Sequence, residues 1–120
     1  MKWRNWCLCF CYALLSGAMT HAYAGEGIKE GMTISSARSV LLKKGWIPNP
    51  SKRSRAEPMW SLEKQLHHRG YGEIDRCAMD RPVCILKYKR SQVCLEVEIE
   101  GVKASNMRVI GWSHECEPDN

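Results

Sequence analysis

The stretch Val93-Cys94-Leu95-Glu96-Val97-Glu98-Ile99-Glu100 alternates apolar and polar residues without a break. Successive side chains of an extended strand point to opposite faces. Val93, Leu95, Val97 and Ile99 therefore share one face, and Cys94, Glu96, Glu98 and Glu100 share the other. The apolar face needs a covering layer, while the charged face can meet water. Gly101 ends the strand.

The neighbouring sequence supplies the partners of this strand. Arg90-Ser91-Gln92 reads as a hairpin turn, with Val83 to Lys89 as the preceding strand. A short strand at Ile74–Cys77 can add to that one. Met107 to Cys116 is expected to form a further strand, with Ile110 and Trp112 on one face.

Before Glu73 the apolar period is helical. Thr33 is a good N-cap, Met32 can pack on Ala37, and Ile34, Ala37, Val40, Leu41 and Lys44 follow three–four spacing. Lys43 and Lys44 suit the negative end of the helix dipole, Gly45 is the expected left-handed cap, and Pro48 prevents continuation. A second, shorter helix is expected from near Pro58 to Gly70, with Met59, Leu62 and Leu66 inward. Residues 48–56 between the helices are basic and turn-rich, and residues 25–31 read as a loose lead-in. The fold class is thus α+β, with two N-terminal helices packed on a three- to four-stranded antiparallel sheet. One sheet face packs on the helices and the other is free for a partner.

The first 24 residues read as a cleavable export signal. Lys2 and Arg4 precede an apolar run from Trp6 to Leu15, and Ala22-Tyr23-Ala24 is a small-residue cleavage site ahead of Gly25. The apolar run is shorter than the roughly 20 residues that span a bilayer. Residues 25–120 then form a single domain. Removing the signal takes two of the 18 basic residues and none of the 13 acidic ones, leaving sixteen against thirteen and a net charge of +3. So mild a value does not point to nucleic acid.

Three of the seven cysteines fall in the signal, leaving Cys77, Cys84, Cys94 and Cys116. An even number after an export signal implies two disulfides in an oxidising compartment, periplasmic or secreted. Of the three possible pairings we favour Cys77–Cys84 and Cys94–Cys116. A nucleophilic cysteine, with His114 as base, would have to be a free thiolate, so disulfides take precedence. His67 and His68 point about 100° apart on a helix and do not chelate together, and the chain carries no CxxC or HExxH motif. Neither a metal, a cofactor nor an enzymatic site is expected.

Three features suit binding to another protein. Glu96, Glu98 and Glu100 form an acidic strip for a basic partner, which Lys87 and Lys89 could balance given suitable register. Lys52, Arg53 and Arg55 form a basic loop, read either as a solubilising linker or as a contact for lipid headgroups, peptidoglycan-associated anions or an acidic protein pocket. Of the large aromatics Trp46, Trp60, Tyr71, Tyr88 and Trp112, most should be core, while Trp60 and Tyr71 are expected as exposed anchors near loop boundaries.

Gly31-Met32-Thr33, with Val40-Leu41 and Gly45-Trp46 behind it, resembles a module of the bacterial envelope. That module opens on a capped helix, pairs two helices and adds an antiparallel sheet containing cysteines. It is similar to the β-lactamase-inhibitory-protein repeat and to the SmpA/OmlA-type outer-membrane assembly lipoproteins. The resemblance implies a protein-binding scaffold rather than an enzyme. The leading expectation is an inhibitor or immunity protein that blocks a toxin or an envelope hydrolase. The alternatives are a structural or assembly factor of the envelope, and a small secreted effector or enzyme.

Overall fold

The computed structural model describes residues 26–51 and 61–116. The export signal, the loop cations Lys52, Arg53 and Arg55, the helix start near Pro58, and Trp60 lie outside the described residues.

Helix α1 spans Ile34–Lys43, and α2 spans Ser61–His68. The Thr33 hydroxyl accepts the backbone N–H of Ser36 at 3.2 Å and so satisfies one free donor of the first turn of α1. Both helices end in the same way. Gly45, at φ +86°, lets its N–H reach the Leu42 carbonyl, while the Trp46 N–H bonds back to Leu41. Gly70, at φ +84°, repeats this with His67, and the Tyr71 N–H bonds back to Leu66. These are Schellman endings, whose left-handed residue favours glycine. Each folds the next residue, an aromatic, against the helix it has just left.

An arginine completes each ending. Arg90 stacks over the Trp46 ring at 4.4 Å and donates to the Lys44 carbonyl. Arg38 stacks over the Tyr71 ring at 4.8 Å and donates to the Gly70 carbonyl. A cation at a helix C-terminus meets unsatisfied carbonyls and a negative dipole end, and the aromatic face attracts it further. Each arginine also faces a buried carboxylate: Glu26 lies 4.0 Å from Arg90, and Glu73 lies 2.9 Å from Arg38. Tyr71 is consequently only 8% exposed and belongs to the core, where an exposed anchor was expected.

The sheet is antiparallel and has five strands: β1 Ile47–Pro48, β2 Ile74–Cys77, β3 Val83–Arg90, β4 Val93–Glu100 and β5 Arg108–Ser113. Its order is β1-β3-β4-β5, and β2 shares the β3 edge with β1. The expected count of three or four strands is corrected by β1, which also separates the two helices along the chain. Pro48 opposite Tyr88 is compatible with this strand because it lies at the sheet edge, where a missing N–H is tolerated.

Leu95, Val97 and Ile99 are fully buried on the face turned to the helices, with Cys84, Leu86 and Tyr88 beside them from β3. Val109 and Trp112 of β5 oppose Ile99 and Val97. They reach the same face only because the register slips between them. That bulge turns Ile110 outward, where it is 37% exposed, so the expected sharing of a face by Ile110 and Trp112 does not hold.

The lead-in is packed, not loose. Gly31 and Met32 exchange backbone hydrogen bonds with Val109, and Ile28 is buried in the core. Glu26 accepts the Trp46 indole N–H at 2.6 Å and pairs with His114 at 3.0 Å.

Glu73 is wholly buried. The Tyr88 hydroxyl donates to its Oε1 at 3.1 Å, while Arg38 Nε stands near but out of line for a hydrogen bond, and Oε2 has no donor among the described residues. Burial first, and the Glu73 charge second, push the Tyr88 hydroxyl above its ordinary value, so it stays a donor. Arg38→Ala would strand this carboxylate and is expected to lower the unfolding free energy by about 3 kcal/mol or more. Arg90→Ala should cost about 1 kcal/mol, because Glu26 keeps two other partners. Urea denaturation of the oxidised protein reads both, and equal losses would contradict the special position of Glu73.

Candidate functional site

The face of the sheet turned away from the helices carries Cys94, Glu96, Glu98 and Glu100 from β4, as the alternation requires. The register places Lys87 directly opposite Glu96, Ile85 opposite Glu98, Val83 opposite Glu100, and Lys89 opposite Cys94. On the other side of β4, Glu98 faces Gly111 and Glu100 faces Arg108. The three glutamates therefore have different surroundings. Glu96 is ion-paired, Glu98 lies part-buried between an isoleucine and a glycine, and Glu100 is exposed at the strand end.

A bulge in β2 positions the cation that pairs with Glu96. Ile74 opposes Leu86 and Arg76 opposes Ile85, so Asp75 is an additional residue between them. In a regular strand Ile74 and Arg76 would share a face. The bulge instead leaves Ile74 in the core and puts Arg76 outside. Arg76 Nη1 then reaches Asp75 at 2.6 Å and Glu96 at 3.3 Å, crossing above β3.

Asp75 holds the bulge. Its Oδ1 accepts the Ser51 N–H at 2.6 Å, and its Oδ2 accepts from Arg76. Burial alone would raise the Asp75 carboxyl, but the Ser51 hydrogen bonds and then the Arg76 guanidinium outweigh it and hold the carboxyl below its ordinary value. Burial likewise opposes the charge on Arg76, and its hydrogen bonds to Asp75 and Glu96 more than restore it.

The Cys77–Cys84 disulfide joins directly opposed residues of β2 and β3 and closes the loop 78–82. That loop overhangs the outer face. Between it and β4 lies a cleft of about 230 Å³, with Val83, Ile85 and Cys77 along it and Arg76, Arg81 and Glu98 at its rim. The side chains of Arg81 and Glu98 make no hydrogen bond or ion pair with the described residues. The second disulfide, Cys94–Cys116, ties β4 to the segment after β5. A larger depression of about 430 Å³ lies beside it, formed by Trp112, Ser113, His114 and Glu115.

Sequence reasoning thus located Glu96, Glu98 and Glu100 on one outer face, and the structure brings Arg76, Arg81 and Ile85 to them. Tyr71 is not part of this face. Arg76 was missed because it meets Glu96 only through the bulge. All four described cysteines are disulfide-bonded, so no thiolate is present among them. Among the described residues no three His, Cys, Asp or Glu side chains are grouped to hold a metal ion.

No family model, curated protein or solved structure matches the chain.

A carboxyl held low in the folded state contributes stability above its unfolded value, near pH 4, and loses it as pH falls through the folded value. Asp75→Asn is therefore expected to be less stable than the parent at neutral pH, with the deficit shrinking below about pH 4. Urea midpoints measured across this range test it. A deficit that persists unchanged in acid would show that Asp75 does not hold the bulge through its charge.

Proposed function

We propose that this protein is an exported binding domain, periplasmic or secreted, that blocks another protein through the outer face of its sheet. The partner we favour is a toxin or an envelope hydrolase. The observation that carries the reading is the division of the sheet into two unlike faces. Helices, lead-in and core side chains fill one. The other combines part-exposed charge with an apolar cleft.

Two features support a binder. The outer face is braced by a disulfide, a bulge and an ion-pair bridge, so its side chains are held before any partner arrives, which reduces the ordering cost of association. The cleft is also smaller than the roughly 300–1,000 Å³ of small-molecule sites and suits a side chain that anchors a protein interface. The two disulfides fit an oxidising compartment, and the export signal read from the sequence agrees with that. The likeness of the helix start to envelope inhibitory and assembly modules points the same way.

The oxidised protein, presented to envelope and secreted fractions of its own host, is expected to retain one stoichiometric partner whose toxic or hydrolytic activity falls in proportion to the protein added. Glu98→Lys should keep the parent melting curve and weaken that inhibition by about tenfold or more. A partner whose activity is unchanged at equimolar dose would contradict the inhibitor reading. Inhibition untouched by Glu98→Lys would move the interface off this face.

A further inference from the structure

We infer that the outer-face cleft receives a cationic side chain of the partner, arginine in preference to lysine, with Glu98 as its counter-ion. This rests on the proposed protein-binding role and specifies the chemistry of one contact within it. Of the charges around the cleft, Arg76 is already engaged by Asp75 and Glu96. Among the described residues Glu98 has no such pairing, and the central strand of the sheet fixes its position. It is part-buried, with Ile85 opposite it on β3 and Gly111 opposite it on β5, so no charged side chain stands across from it on either strand.

The geometry suits a long stem ending in a cation. Val83 and Ile85 offer apolar surface to methylene groups, as the stems of Arg and Lys require. A guanidinium can then meet both carboxylate oxygens at once, which a lysine ammonium does less well. An anionic guest would have to rely on Arg81, an exposed side chain on the disulfide loop. Exposed pairs of that kind contribute little, because water already solvates the charge. A part-buried carboxylate beside apolar side chains gains more from a partner than a solvated guanidinium does.

A random-peptide library panned on the oxidised protein tests this, with binding of the selected peptides measured by fluorescence polarisation. The selected peptides are expected to share an arginine, and lysine at that position should bind more weakly. Replacing that arginine by citrulline, or Glu98 by Gln, should weaken binding by about tenfold or more. Arg81→Ala should leave binding within about twofold, and E98Q should melt like the parent. Peptides that share an acidic residue and depend on Arg81 would overturn the proposal in favour of an anionic anchor. Peptides that bind without regard to Glu98 would overturn it while leaving protein binding intact. An empty selection would also overturn it, and the inhibition titration judges the broader reading separately.

Discussion

Each helix is locked at its C-terminus by the same four-part clasp, and the placement of both on the sheet depends on it. A left-handed glycine turns the chain back, an aromatic packs on the last turn, an arginine covers the aromatic, and a buried carboxylate faces the arginine. At α1 the parts are Gly45, Trp46, Arg90 and Glu26; at α2 they are Gly70, Tyr71, Arg38 and Glu73. The clasps draw on distant segments. Arg90 comes from the end of β3, and Arg38 comes from the other helix. Each helix end is thereby fixed by a residue from elsewhere in the fold. The two differ in their electrostatics. Glu26 is shared among an indole, an imidazole and a guanidinium, whereas Glu73 has a single aligned donor among the described residues. The second clasp carries the greater desolvation cost and the greater sensitivity to losing its cation.

With the helices fixed, the outer face takes its form from departures from regular pairing. The β2 bulge turns Arg76 outward, and the β5 bulge turns Ile110 outward while returning Trp112 to the core side. The Cys77–Cys84 bond then holds the overhanging loop over Ile85. Lys87, only 3% exposed, lies across from Glu96 in the middle of this arrangement. The expected strip of three carboxylates becomes, among the described residues, one paired, one part-buried and unpaired, and one exposed. That difference in environment, more than the count of charges, makes Glu98 the group to watch.

Much of this was legible in the sequence. The Val93–Glu100 alternation gave both faces of β4 and, with the turn at Ser91, the hairpin with β3. Thr33 and Gly45 marked the two ends of α1, and cysteine spacing pointed to both disulfides. What escaped is non-local. A bulge leaves no signature in residue type, so the faces of Arg76 and Ile110 could not be read from alternation. The two-residue strand β1 is too short for any period to show. The burial of Tyr71 did have a signal: Leu66-His67-His68-Arg69-Gly70-Tyr71 repeats the pattern of Leu41-Leu42-Lys43-Lys44-Gly45-Trp46. The likeness shows that both aromatics follow a helix-ending glycine and fold inward. Glu26 and Ile28 gave no such cue, since their partners lie far along the chain.

On the proposed function the molecule meets its partner with the outer face of the sheet and not with the helical side. Carboxyl footprinting of the oxidised protein, alone and in complex with a captured partner, addresses it directly. Glu98 should lose its reactivity on complex formation, while exposed Glu30, in the lead-in ahead of α1, should keep its own. Protection of Glu30 with Glu98 still reactive would place the interface on the opposite side and contradict the account.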